Sequence, residues 1–86
     1  MSVQNLKLYS DDRIDDILII VYKLRYNKFL LRIRKYFFGI PIAMHETTVE
    51  DCEAAEDFLS NLNVDYPKIV QLRNSVRELF NKLEEN

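Results

Sequence analysis

The fold is decided by residues 10–39, SDDRIDDILIIVYKLRYNKFLLRIRKYFFG, which hold the longest apolar run of the chain. Ser10 and the four aspartates just after it favour a helix start, because a serine caps free N–H groups and carboxylates stabilise the positive end of the helix dipole. Gly39, with Pro41 two residues later, is typical of a helix end. Together these signals predict one long helix over residues 11–38.

The apolar side of this predicted helix changes part-way along its length. Ile14, Ile17 and Val21 share one face at helical spacing. The same line then continues through four basic side chains, Arg25, Lys28, Arg32 and Lys35. Asn27 is a poor helix former, so the helix is expected to bend or break near it.

Two further helices are predicted downstream. Thr47 or Thr48 is expected to cap a helix over residues 49–62, and Pro67, which a first turn tolerates, to begin another over residues 67–83. In the last helix apolar residues recur every three or four positions, at Ile69, Leu72, Val76, Leu79 and Leu83. Residues 40–46, IPIAMHE, are unusually apolar for a loop and are predicted to be a connector that packs against the core.

We therefore expect an all-α fold, a compact bundle of three main helices in which the first is long and bent or broken near Asn27. Short connections make consecutive helices antiparallel neighbours. A chain of 86 residues is the size of one domain, so residues 1–86 are treated as a single unit, with residues 1–9 as an extended arm.

The same central stretch supports an alternative, an α+β fold with a β-hairpin over about residues 18–35 packed on two C-terminal helices. Apolar and polar residues alternate on both sides of a two-residue turn at Asn27-Lys28, which would pair Tyr22 with Ile33. However, this turn lacks glycine, and the register would set like charges opposite each other. The helix boundaries therefore favour the all-α interpretation.

The composition excludes several classes of function. A single glycine leaves no Gly-rich phosphate loop, which excludes a Rossmann or P-loop nucleotide site. The lone cysteine, Cys52, excludes an internal disulfide and indicates a reducing compartment, so a cytoplasmic protein is expected. Charges interrupt the apolar run too early for it to cross a bilayer, and no membrane span is expected.

Catalytic and metal chemistry have little to draw on. His45 is the only histidine, and buried cysteines and incidental histidines are far commoner than Cys–His nucleophile pairs. Four carboxylates follow at helical spacing, Glu46, Glu50, Glu53 and Asp57. Such a run is more typical of a solvated helix face than of a cation site. We therefore expect no catalytic residue, no metal site and no cofactor.

Opposite charges are segregated along the chain, although the net charge is only −2. Residues 23–35 contain six basic residues and no acid, and residues 46–57 contain six acidic residues and no base. On the predicted helix the basic residues form a stripe edged by tyrosines, and we expect this face to bind a partner. The predicted binding residues are Arg25, Tyr26, Lys28, Arg32, Arg34, Lys35 and Tyr36.

We interpret the chain as a non-enzymatic interaction or regulatory module that binds a protein with an acidic surface. A homodimer is also expected, because three helices with an apolar connector would leave an apolar stripe uncovered. The alternative is a nucleic-acid-binding regulator whose basic face neutralises phosphates. An isoelectric point near 5.3 weighs against that alternative, and the basic segment can also pair with the acidic one.

Overall fold

The structure of this protein, a computed structural model, describes residues 9–84. Four strands come first, β1 (Tyr9–Ile14), β2 (Ile17–Lys23), β3 (Phe29–Phe37) and β4 (Ile40–Val49), and two helices follow, α1 (Cys52–Ser60) and α2 (Tyr66–Glu84). The strands form one antiparallel sheet in the order β1-β2-β3-β4, so each pairs with its neighbour in sequence. The fold class is α+β, and the predicted all-α bundle of three helices is wrong.

One face of the sheet forms the core with the helices. Successive side chains of a strand point to opposite faces, which puts the odd-numbered residues of β2 and β3 on the core side. Ile19 pairs with Ile33 and Val21 with Leu31, and all four are buried. Leu72 and other apolar residues of α2 complete the same cluster. No described helix covers the other face of the sheet, which we call the open face.

Side-chain shape explains why strands replace the helix predicted over residues 11–38. Residues 17–21, ILIIV, include four β-branched side chains, which lose rotamer freedom in a helix and fit a pleated sheet well. The aspartates that suggested a helix start belong to an edge strand and a turn. Asp12 accepts a hydrogen bond from Ser75 Oγ at 2.7 Å, and Asp15 has a φ of 53° in the β1–β2 turn. Aspartate suits helix caps and tight turns alike, so its presence alone does not separate them.

The α+β alternative has the right class but the wrong register. β2 and β3 do form a hairpin, and the residues at the centre of its turn are Tyr26 and Asn27, with φ of 60° and 59°. Tyr22 pairs with Leu30 rather than with Ile33. This shift of three residues moves Tyr22 from the predicted core to the open face. That interpretation also lacked two strands, β1 and β4.

Both C-terminal helices are confirmed, and the start of the first is corrected. Asp51, rather than Thr47 or Thr48, caps α1, and its carboxylate accepts a hydrogen bond from the Ala54 N–H at 2.8 Å. The two threonines belong to β4. In α2 every predicted apolar position is buried, namely Ile69, Leu72, Val76, Leu79 and Leu83.

The helices cover the sheet unevenly. α2 lies against β1 and β2, whereas α1 packs mainly on α2 and makes little contact with β4. Val49 is the one buried residue of β4. The helices therefore cover the β1 edge of the sheet and leave the β4 edge uncovered. The extended arm predicted for residues 1–9 lies outside the described residues, apart from Tyr9, which begins β1.

Candidate protein-binding surface

The β3–β4 hairpin extends past the rest of the sheet at residues 37–42, which we call the projecting hairpin. β2 pairs with β3 only as far as Lys35, so β2 does not flank residues 37–42. The register of β3 and β4 shifts between Lys35 and Tyr36. At that point the Tyr36 N–H donates to the Asp16 carbonyl at 2.8 Å, which ties the base of the hairpin to the β1–β2 turn.

Phe38 and Gly39 form the tight turn at the tip of the projecting hairpin. Their φ values are 50° and 80°, and a two-residue type I′ turn needs positive φ at both positions. Glycine adopts this conformation freely, but for phenylalanine it costs about 1–2 kcal/mol. Phe38 is 89% exposed, so burial does not offset that cost. A strained, exposed aromatic residue at the tip is typical of a contact residue.

Apolar exposure continues from the tip along β4. Five large apolar side chains are each more than half exposed, and we call them the apolar patch: Phe37, Phe38, Ile40, Ile42 and Met44. Their exposed area is on the order of 500 Å² in total and covers both faces of the hairpin, because the Phe37–Ile40 pair lies on the face opposite to Met44. Exposed apolar side chains concentrated on one hairpin indicate a contact site.

The prediction that residues 40–46 pack against the core as a connector is wrong. These residues form most of β4, and every one of them is exposed. A signal for the strand is present in the sequence, because Ile40, Ile42 and Met44 alternate with other residues at a period of two. Gly39, interpreted as a helix end, occupies the second position of a hairpin turn.

The predicted basic stripe is not formed, because its residues lie on a hairpin and point in different directions. Arg25, Tyr26 and Lys28 lie in the β2–β3 turn, at the opposite end of β3 from the projecting hairpin. All three are exposed. Lys35 lies on the core side of the sheet, where it lines a cavity next to His45.

Three predicted binding residues, Arg32, Arg34 and Tyr36, lie on the open face near the apolar patch. The Arg13 guanidinium lies 5.1 Å from the centre of the Tyr36 ring. Arg34 is opposite Met44 across the β3–β4 pair. Within residues 9–84 Arg34 forms no salt bridge, so its charge is available beside the patch.

The expected pairing between the basic and acidic segments occurs at one described position. Arg32 forms an ion pair with Glu46, and its guanidinium lies 5.3 Å from the ring centre of Tyr22. Glu56 of the acidic segment binds α2 instead, accepting a hydrogen bond from Arg77 at 2.8 Å. Most of the predicted charge pairing between the two segments is therefore not formed.

The cysteine is held in its thiol form. Burial, followed by a hydrogen bond from Sγ to the Glu56 carboxylate at 3.4 Å, raises the pKa of Cys52 to about 11. A thiol is a weak nucleophile and a weak metal ligand. Among residues 9–84, no three His, Cys, Asp or Glu side chains group in a way that could hold a metal ion.

A cavity of about 190 Å³ lies between the sheet and the segment that joins the helices. Its lining includes Ile17, Ile33, Lys35 and His45. Pockets that hold small molecules usually measure about 300–1,000 Å³. The cavity is therefore a weaker candidate site than the apolar patch.

Comparison with known proteins identifies no family for this chain. No protein-family model, curated protein or solved structure matches this chain. Neither of the two described helices is long and apolar enough to cross a membrane.

Proposed function

We propose that this chain is a non-enzymatic interaction module that binds another protein through the projecting hairpin. The observation that supports the proposal is the apolar patch, which places five large side chains on a two-stranded hairpin. Nucleic-acid surfaces offer phosphates and base edges, which an apolar surface does not satisfy. A protein partner can bury these side chains in an apolar groove.

Charge beside the patch favours a partner whose groove has an acidic rim. Arg34 lies next to Met44 on the open face and has no ion pair among the described residues. A carboxylate on the partner would form a charge-assisted hydrogen bond with this guanidinium. As in the proposal from the sequence, the partner has an acidic surface. The basic residue proposed to contact it is Arg34 on β3, and not a stripe of basic residues on a helix.

A photoreactive benzoyl group on the ring of residue 38 tests the proposal in a lysate of the source cells. We expect discrete protein adducts from this position and none from the same group at Val70, which lies on the exposed side of α2. Ile42→Ser should lower the adduct yield about tenfold, as expected for a contact near the centre of an interface. Adducts that disappear on nuclease treatment, or equal labelling from both positions, would contradict a protein partner.

Charge reversal separates the role of Arg34 from general electrostatics. Arg34→Glu should lower the adduct yield several-fold, because it sets a carboxylate against the acidic rim of the partner. The matched control is Arg25→Glu, in the exposed turn at the far end of β3. Equal losses from the two variants would argue against a contact at Arg34.

A further inference from the structure

We infer that a second copy of this chain pairs antiparallel along residues 43–47 of β4, to give a dimer with a continuous eight-stranded sheet. In the described sheet β4 has β3 on one side and no strand on the other. The outer side of an edge strand presents unpaired N–H and C=O groups, which another strand can pair. The pairing segment shares Met44 with the apolar patch and leaves the other four patch residues outside it.

Residues 43–49, AMHETTV, lack the usual protection of an edge strand. Natural edges carry lysine, proline, bulges or a covering element that prevents pairing. Pro41 and the register shift at Tyr36 protect only the projecting hairpin. Beyond them the strand has one charged side chain, Glu46, and neither proline nor lysine. This segment therefore can accept a neighbouring strand along its length.

The neighbouring elements leave room for a second copy. α1 makes little contact with β4, and His45 and Glu46, which point to opposite faces, are both exposed. A two-fold axis perpendicular to the sheet keeps both pairs of helices on one side and both open faces on the other. The two projecting hairpins then point away from each other.

Charge selects the register of this pair. Directly opposite residues point to the same face of the sheet, so the two-fold axis passes beside a residue and not between two residues. Within the unprotected segment the central positions are Met44, His45 and Glu46. Centring on Glu46 sets two carboxylates opposite each other, which is destabilising. Centring on Met44 sets Glu46 against the apolar Ile42 of the second copy.

Centring the pair on His45 gives the most favourable row of side chains. Met44 of one copy then lies opposite Glu46 of the other. Across the open face, the row consists of Arg34 and Met44 of one copy, followed by Glu46 and Arg32 of the other. Each Glu46 has Arg32 of its own copy on one side. On its other side lies Met44 of the other copy, followed by Arg34 of that copy.

Arg34, which forms no salt bridge within residues 9–84 of one copy, then lies two strands, about 10 Å, from Glu46 of the other copy. At this separation the opposite charges attract, and the guanidinium is still able to contact a partner.

Light scattering on the full chain at about 100 µM tests the dimer, because association depends on concentration. We expect twice the chain mass of 10.3 kDa. A mass that stays at that of one chain at this concentration overturns the inference. A dimer that persists unchanged in both Met44 variants below shows that another surface pairs, and it overturns the inference as well.

Opposite charges at one position test the register. Met44→Glu should raise the dimer dissociation constant about tenfold, because it sets a carboxylate against Glu46 at two symmetric points. Met44→Lys should keep the dimer within about threefold, since lysine faces Glu46 there. Both variants change an exposed residue, and circular dichroism checks that each is folded.

A charge exchange completes the test. The double variant Met44→Glu with Glu46→Lys restores opposite charges across the axis and should recover most of the lost affinity. Equal weakening by Met44→Glu and Met44→Lys, without recovery in the double variant, would overturn the register centred on His45. Crosslinks from residue 38 to other proteins, in a wild-type chain whose mass stays at 10.3 kDa, would show that the dimer inference alone fails.

Discussion

The two edges of the sheet are built in opposite ways. β1 has six residues, includes Asp11, Asp12 and Arg13, and lies against α2. β4 has ten residues, carries one formal charge at Glu46, and is exposed along nearly its whole length. Short length, charge and cover are the usual means of preventing edge pairing, and β1 uses all three. The exposure of β4 is therefore specific to this edge and does not result from a lack of buried apolar residues in the fold as a whole.

The same difference separates buried from exposed apolar residues. α2 places its apolar stripe over β1 and β2, where Leu72 is fully buried. The projecting hairpin places equally large side chains in solvent. Apolar residues on the α2 side stabilise the fold, whereas those on the β4 side are expected to act only when a partner is present.

Truncation of one residue on each side should give the largest contrast. Leu72→Ala should lower the free energy of unfolding by about 2–5 kcal/mol, because it leaves a cavity in the core. Ile42→Ala, on the exposed part of β4, should change it by less than about 0.5 kcal/mol. Urea denaturation at low protein concentration measures both. A cost above about 1 kcal/mol for Ile42→Ala would mean that β4 is packed within the monomer.

The ion pair that joins the helices gives the next largest effect and a pH dependence. The hydrogen bond from Arg77 lowers the pKa of Glu56 below its ordinary value of 4.5, so this carboxylate stabilises the fold above pH 4.5 and loses that effect as the pH falls through the lowered value. Glu56→Gln should cost about 1 kcal/mol at pH 7, because the side chain is mostly shielded while Arg77 is half exposed.

The control for this prediction compares the stability of wild type and of Glu56→Gln at acidic pH. The cost of Glu56→Gln should shrink as the pH falls below 4.5, because wild type then loses the interaction too. Thermal melts from pH 7 to pH 3 follow the difference. A cost that stays constant over this range would contradict an ionised Glu56 as its source.

The hydrogen bond between β1 and α2 tests how the covered edge is held. Ser75→Ala should lower the free energy of unfolding by about 0.5–1 kcal/mol, because it removes the donor to Asp12. Combined with Asp12→Ala in a double-mutant cycle, it should show a coupling of similar size. The matched control Asp11→Ala lies on the open face of the same strand and should have no coupling with Ser75.

The smallest expected effect is a gain in stability at the hairpin tip. Phe38→Asn should stabilise the isolated chain by about 0.5 kcal/mol, because asparagine tolerates the positive φ that strains phenylalanine. The same variant should lose the contact that the aromatic ring makes with a partner. A loss of stability in the isolated chain would mean that the edge contact between the Phe37 and Phe38 rings, whose centroids are 4.4 Å apart, outweighs the backbone strain.

The sequence predicts the C-terminal half of the fold well. The 3.6-residue period of Leu72, Val76 and Leu79 specifies α2 and its buried face. The sequence does not fix the start of α1, because Thr47 and Asp51 are both good N-caps and only the length of β4 decides between them. Local periodicity is sufficient for these elements, because each buries one stripe against the rest of the chain.

The N-terminal half could not be predicted in the same way, because its local signals are shared between helix and hairpin. Short polar residues suit a helix cap and also the turn at Asp15, and glycine ends a helix as readily as it completes the turn at Gly39. The β2–β3 turn uses Tyr26 and Asn27, without the glycine that marks such turns. Only the pairing of distant strands resolves these alternatives.

The binding surface was predicted only in part. Arg34 lies beside the apolar patch, but Arg25 and Lys28 lie at the other end of β3 and Lys35 on the core side. The sequence predicts that Ile40 and Ile42 of the projecting hairpin pack against the core, whereas both are exposed. Hydropathy alone does not tell whether an apolar strand is buried or presented to a partner, because that depends on how far the neighbouring strand extends.

Hydrogen–deuterium exchange tests the central contrast between the two edges most directly. We expect exchange of residues 43–47 to slow between about 1 µM and about 200 µM protein, because pairing protects their N–H groups. Exchange in β1 should stay the same at both concentrations. Slower exchange in β1, or identical exchange in β4 at both concentrations, would contradict β4 as the open, pairing edge of this sheet.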